Sequence, residues 1–247
     1  MIKLIDNFEN YDFSFFENDV FFRRIYSDFC TNSMFSDSLF YVSVNENVVD
    51  GVIGKVGQVI TLASKACAPF EELNEFFNVI GYSVILCEEK FSSHFEGVKT
   101  YGDILKNTKM TECCCKAQLL YTENLKDVFG LLVRIFNLNI DFVDWFADMS
   151  HKLRHGTGKC CGIYENNELV SVALSVFETD NSAVISSVAT DERFRKKGYG
   201  EKVVKTLLDE NKGKDVYVFT ENENISKWYE KSGFTGYKKW SEIKNVL

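Results

Sequence analysis

Long apolar runs, proline and histidine are what this sequence has least of. No stretch of 18 apolar residues occurs in its 247 positions, so a membrane-spanning helix is excluded. Acidic side chains arrive at Asp6 and Glu9, too early to leave room for the apolar core of a secretory signal. A soluble, cytoplasmic protein with no membrane partner is therefore expected. A single proline, beside 45% hydrophobic and 15% aromatic residues, excludes the disordered and fibrous classes and leaves a globular fold with 22 phenylalanines to bury. Positive charge is in deficit as well: 28 Lys and Arg face 36 Asp and Glu, and a net charge of -8 argues against a nucleic-acid partner. An anionic ligand must then be met by a local concentration of cations. The three histidines, His94, His151 and His155, do not supply paired ligands at zinc spacing, so no metal is expected. Cysteine is not scarce, but the adjacent runs Cys113-Cys114-Cys115 and Cys160-Cys161 lack the separated pattern of a disulfide framework and read as reduced thiols in strand cores.

The length suits two domains, and the periodicity divides the chain at residues 1–115 and 116–247. In the second half a strand over 118–121 precedes two amphipathic helices, 123–136 and 141–153, and a Gly-rich break. Strands over 159–164 and 169–177 flank an Asn-rich turn and read as a hairpin. A strand over 183–190, a helix over 199–211 with Val203, Val204, Leu207 and Leu208 on one face, and a strand over 216–220 follow. A short helix over 225–231 stops at Gly233, and a last strand begins near Gly236. The first half echoes part of this order, with strands over 40–44, 48–54 and 59–63, a helix over 69–80 and a strand over 82–88. An internal duplication is the expectation. The whole is an α/β fold with a mixed sheet.

Between the strand ending at Thr190 and the helix starting at Tyr199 lies Asp191-Glu192-Arg193-Phe194-Arg195-Lys196-Lys197-Gly198-Tyr199-Gly200. Four of the five residues from Arg193 to Lys197 are basic. Gly198 and Gly200 remove Cβ atoms where the chain turns, so successive amides can converge on an anion at the positive end of a helix. A pyrophosphate fits that chemistry. The first half has Ser64-Lys65-Ala66-Cys67-Ala68 in the corresponding place, with no glycine, and no cofactor is expected there.

The spacing Arg195-x-x-Gly198-x-Gly200 resembles the Q/R-x-x-G-x-G/A signature of the GNAT N-acetyltransferases. The segment from Asn222 to Phe234, with Tyr229-Glu230-Lys231 and Gly233-Phe234, is similar to that family's N-x-x-A-x-x-x-Y-E-K-x-G-F motif. The resemblance implies a GNAT fold in the C-terminal half, preceded by a smaller α/β domain that is a degenerate GNAT-like repeat. It implies acetyl-CoA as cosubstrate and a small-molecule or peptide amine as acceptor. Lys196, Lys197, Gly198, Tyr199, Gly200 and Glu201 would hold the pyrophosphate, with Arg195 adding charge. Val188, Ala189 and Thr190 form the strand end that pairs with pantetheine, Asn222 contacts its arm, and Tyr229 protonates the departing thiolate. Glu192 replaces a common proline and Ile225 a small alanine. Where some relatives carry a glutamate base the chain has Val184, which leaves Glu221 through a water or His155 as candidates. Two other readings stay open: a non-catalytic CoA-binding or regulatory protein, and a tandem-domain aminoacyl transferase of the Fem type.

Overall fold

The computed structural model describes residues 1–33, 35, 37–107 and 116–246; the run Cys113-Cys114-Cys115 and the expected boundary at residue 115 lie outside them. The chain forms two compact units. One consists of Met1–Ile104, Thr220–Glu223 and Tyr237–Leu247, the other of Leu105–Phe219 and Asn224–Gly236.

In the first unit, β1 (Ile2–Leu4) is followed by helix α1 (Val20–Asn32), which sequence periodicity did not expose. Its start is fixed by Asp19, whose carboxylate accepts from the amides of Phe21 and Phe22 at 2.9 and 3.2 Å. Val20, Phe21, Phe22 and Ile25 are buried beneath it. Strands β2 (Ser38–Asn45), β3 (Val48–Val56) and β4 (Val59–Ser64) form an antiparallel meander with β1 at its edge. Helix α1 packs so closely on β3 that a Cβ on Gly54 would come within 3.1 Å of Ile25. Helix α2 (Phe70–Ile80) then carries the chain over the sheet to β5 (Val84–Glu88), which pairs parallel to β4. Such a crossover is what a parallel pair requires. Leu73 and Phe77 of α2 share a core with Ile53, Ile60, Leu62 and Ile85. Strand β6 (Val98–Asn107) begins here and ends in the second unit.

The second unit runs β7 (Gln118–Leu120), α3 (Leu125–Phe136), α4 (Phe142–His155), β8 (Lys159–Glu165), β9 (Glu168–Val176), β10 (Ser182–Thr190), α5 (Tyr199–Glu210), β11 (Asp215–Thr220), α6 (Glu223–Glu230) and the start of β12 (Phe234–Lys244). Strands β7 to β10 are antiparallel in sequence order, and β11 joins β10 in parallel. The face of α5 formed by Val203, Val204, Leu207 and Leu208 packs on Cys161, Ala173, Ile185, Val216 and Val218. Helix α3 buries Leu125, Val128, Leu131 and Leu132, a helical stripe of the kind an amphipathic surface helix buries. Among the described residues no helix is long and apolar enough to cross a membrane.

The division differs from a cut at 115/116. The register of β12 runs antiparallel to β5 from Trp240 opposite Glu88 to Lys244 opposite Val84, so the last strand completes the first unit. Ile243 enters that core fully buried. In return the end of β6 belongs to the second unit: Leu105 joins its core, the Lys106 ammonium lies 2.8 Å from Asp215, and Asn107 donates to the carbonyl of Ser232 at 3.4 Å. Strand partners this distant in sequence are set by edge hydrogen bonds that no local pattern encodes.

The duplication has concrete support. Both hairpins turn through two left-handed residues, Glu46-Asn47 with φ of 48° and 65°, and Asn166-Asn167 with φ of 51° and 64°. Each has a register shift shortly before its turn, at Ser43/Val44 and at Ile163/Tyr164. Just past β4 and just past β10 an amide returns to the preceding strand, Lys65 to the carbonyl of Asp50 in β3 at 2.8 Å and Asp191 to that of Val170 in β9 at 2.9 Å. The units part company next. Five residues join β4 to α2, ending in Pro69, whereas eight join β10 to α5.

Replacing Ile243 with Ala should destabilise the first unit by about 3 kcal/mol, the usual cost of emptying a buried aliphatic site. Denaturant unfolding measures the loss, and hydrogen exchange should show it as lost amide protection in β5.

Candidate functional site

Two parallel strands that stay paired to their tips leave no opening, and β10 and β11 do not stay paired. Their register runs from Ser182 opposite Asp215 to Ile185 opposite Val218 and stops there, although β10 continues to Thr190. On its other side β10 pairs with β9 through Ser186, then resumes at Ala189 after a bulge. Ser187 sits inside that bulge at φ 51°, a left-handed conformation that a serine adopts only under constraint. The bulge removes Ser187 and Val188 from the ladder with β9.

The loop that follows turns tightly into α5. Lys196 and Gly198 both have positive φ, 63° and 80°, and Gly198 caps α5. The first helical bond there is from the amide of Lys202 to the carbonyl of Gly198 at 3.0 Å. The amides of Tyr199, Gly200 and Glu201 precede it and have no partner within the helix. A Cβ on Gly198 would meet nothing within 4 Å, whereas one on Gly200 would already touch Thr190 and Trp228 at 3.4 Å.

Together these elements enclose a cleft of about 510 Å³. Val188, Ala189 and Thr190 form its strand wall, and Arg195, Lys196, Gly198, Tyr199, Gly200 and Glu201 its loop and helix wall. Tyr229 reaches in from α6. Two residues expected here stand elsewhere. The ammonium of Lys197 lies 4.7 Å over the ring of Phe194 and is not part of the lining. The α6 side is lined by Asn224, while Asn222 falls with residues 220–223 in the first unit. The sequence reading missed Phe194, Ile225 and Trp228, which also line the cleft. Residues 224, 225, 228 and 229 share one face at helical spacing, and that was the available signal.

The basic run does not act as one charge. Arg193 is consumed internally: its guanidinium binds Glu168 and reaches Asp191 at 3.0 Å. Asp191, almost fully buried, also receives the Arg193 amide at 2.9 Å and Arg134 of α3 at 2.8 Å. These bonds, the Arg193 side chain first, hold its carboxyl down at about 2, so it stays charged and clamps the loop base to α3. Arg195 donates to the carbonyl of Thr190 at 3.3 Å and lies 3.2 Å from Glu192.

Tyr229 is a buried phenol in the cleft wall. It is 7% exposed, meets Trp228 edge-on at 4.8 Å and Phe234 at 5.4 Å, and burial pushes its phenol well above the ordinary range. It is therefore protonated throughout the neutral range. Tyr199 donates to Glu165, which raises its phenol as well. His155 is not at this end. It closes α4 just before β8, which starts at Lys159 opposite Ser175 and reaches the Tyr199 contact only after roughly 20 Å of strand. Glu178 is at that far end too, bound to Lys159, Lys214 and the Ser175 hydroxyl. Cys160 and Cys161 are buried thiols outside any disulfide, and burial raises Cys160 far from a reactive thiolate.

A splayed parallel pair, a bulged strand and a glycine-shaped helix start define an acyltransferase fold of the GNAT type. Residues 126–234, in the C-terminal half of the chain, match the model of the acetyltransferase (GNAT) family. No curated protein matches the sequence. Among solved structures, a GNAT-family acetyltransferase from Colwellia psychrerythraea is similar over 99% of both chains, with a TM-score of 0.58 and 11% identity. A tandem GNAT protein from the clavulanic acid biosynthesis pathway has a TM-score of 0.59 at 9% identity, over 90% of this chain and 87% of its own. A third structure, described as a putative acetyltransferase of the GNAT family from Novosphingobium aromaticivorans, has a TM-score of 0.55 at 14% identity, over 91% of this chain and 98% of its own. At such identities the likeness is one of fold, and it extends to a two-domain arrangement.

Neutralising the clamp should loosen the loop without unfolding the protein. In Asp191→Asn, trypsin should cut at Arg193, Arg195 or Lys196 about tenfold faster than in the parent, as local opening becomes easier. Digestion followed by mass spectrometry reads the sites directly.

Proposed function

We propose that the protein transfers an acetyl group from acetyl-CoA to an amine by direct attack, with no covalent enzyme intermediate. The observation that carries this reading is the coincidence, in one cleft, of a strand gap opening at Ile185 and Val218 and an amide-lined turn at Lys196–Glu201. The turn suits a pyrophosphate, which the amides of Tyr199, Gly200 and Glu201 and the charges of Arg195 and Lys196 would meet. The bulged strand offers main-chain groups of Val188 and Thr190 to a pantetheine arm laid against it as an added strand. Asn224 takes the role first assigned to Asn222, because it is the asparagine in the cleft wall.

The chemistry then needs three things from these residues. The neutral amine attacks the thioester carbonyl, forming a C–N bond. The tetrahedral oxyanion would be met by an amide beside Val188, freed from the ladder by the bulge. As the C–S bond breaks, the Tyr229 phenol gives its proton to the sulfur, and the proton released by the new amide returns through solvent to the phenolate. The carboxylate in the lining, Glu201, lies 2.6 Å from Lys205, so the amine is taken as the free base from solution.

Three outcomes test this. Calorimetry should show acetyl-CoA binding to the parent and none to Gly200→Leu, whose side chain would enter space already bounded by Thr190 and Trp228; equal affinity contradicts the turn's role. In Tyr229→Phe, kcat should fall about 100-fold with acetyl-CoA affinity unchanged, the usual effect of removing a positioned acid. Normal turnover there would remove Tyr229 from the mechanism and favour a protein that binds CoA without using it. Turnover should climb with pH as the amine loses its proton and show no alkaline decline up to pH 10, because a phenol raised by burial keeps its proton beyond its ordinary value. A protein with no CoA affinity that moves aminoacyl groups would belong to the Fem-type reading instead.

A further inference from the structure

A second cavity lies wholly within the first unit. It encloses about 360 Å³ at the C-terminal end of α2, where Asn74 and Asn78 join Tyr82 ahead of β5, Glu96 and Gly97 ahead of β6, and Asn245 after β12. None of these residues lines the cleft of the second unit. The volume falls in the range of sites for small ligands.

The cavity is assembled by the ends of four elements. Leu73 and Phe77 turn one side of α2 into the core, which leaves Asn74 and Asn78, one turn apart, together on the neighbouring face. The helix closes at Gly81, which also lines the cavity and whose amide donates to the carbonyl of Phe77 at 3.0 Å. The carbonyls of Asn78, Val79 and Ile80 come after that bond and have no partner within the helix, so the negative end of its dipole is here. Behind it the backbones are drawn close. Gly97 has a φ of 133°, and a Cβ there would run into the carbonyl of Lys244. Asn245 donates from its side chain to the carbonyl of Tyr82 at 3.4 Å and from its main-chain amide to that of Ser83 at 2.9 Å.

The chemistry of the lining is that of an acceptor. Among the described lining residues Glu96 carries the only charge, and Lys244, just outside, is paired with Glu242 at 3.2 Å. Burial first and then the Glu96 carboxylate raise the Tyr82 phenol, so that negative charge is felt at the ring. The side chains of Asn74, Asn78, Tyr82 and Glu96 make no hydrogen bond or ion pair among the described residues. A carboxylate, a helix C-terminus and an aromatic ring all favour a cation. Two carboxamides, each able to donate and accept, call for hydroxyl groups beside it.

We infer that this cavity binds a small hydroxylated ammonium compound, an amino sugar or amino alcohol no larger than a monosaccharide. Its ammonium pairs with Glu96 near the Tyr82 ring, and its hydroxyls meet the Asn74 and Asn78 amides. A neutral sugar lacks the first contact, and a bare metal ion leaves the amide donors unmet. The inference does not rest on acyl transfer, since it uses no residue of the cleft.

Protein-observed NMR titration of the full-length protein, which reads weak binding, tests this with glucosamine, N-acetylglucosamine and glucose. Glucosamine should shift the amides of Gly81 and Gly97 saturably, and the two uncharged sugars should bind about fivefold more weakly, the value of one exposed ion pair. Glu96→Gln should weaken glucosamine about fivefold and leave glucose unchanged, while Asn78→Ala should weaken both. Both side chains are at the surface, and an unchanged thermal midpoint shows that the variants fold. Gly200→Leu should bind glucosamine as the parent does, which separates this cavity from the cleft. The inference is overturned by absence of saturable binding, by equal affinity for glucose, or by binding that Gly200→Leu abolishes and Glu96→Gln does not.

Discussion

Hydrogen bonding between β10 and β11 ends at Ile185 and Val218, and the geometry of the C-terminal unit follows from where those strands part. A parallel pair that opens at its carboxyl ends exposes main-chain donors and acceptors that must find partners. One side of β10 is quieted by β9, except at the bulge that holds Ser187 at φ 51°. The other side faces the cleft. The helix start of α5 is at the same end, so its first residues and the end of the parted strand line a single opening.

Charge in the loop is divided between building and binding. Arg193 looks, in sequence, like a member of the phosphate cluster; in space it is turned back onto Asp191 and Glu168. Arg134 arrives at the same carboxylate from α3. The buried Asp191 thus gathers two guanidiniums and fixes the loop base before any ligand is present, so less order has to be imposed on binding. Arg195 and Lys196 are the cations left in the lining.

How much of this was legible depended on distance along the chain. The C-terminal elements were readable because strand alternation, the helical face from Val203 to Leu208 and the glycines of the loop are local signals. The two motifs lay on the elements their spacing implied, one between β10 and α5 and the other on α6. Lys197 stands outside the cleft wall because the direction of a side chain in a turn is set by contacts such as the Phe194 ring, which spacing cannot report. Helix α1 stayed hidden behind its density of aromatic residues, which read equally well as strand or helix until the Asp19 cap is seen. The exchange of β6 and β12 was invisible for a different reason: a strand's neighbour is chosen by a free edge, and an edge has no sequence signature.

That exchange bears on how the protein is made. Strand β5 waits for partners at Trp240–Lys244, about 150 residues downstream, which at ordinary rates of synthesis is roughly 8 to 30 seconds of elongation. During that interval the nascent N-terminal half carries an open β edge beside an apolar core still lacking Ile243. A ribosome that stalls or terminates before codon 240 would release a polypeptide whose first-made domain, not only its last, is unfinished.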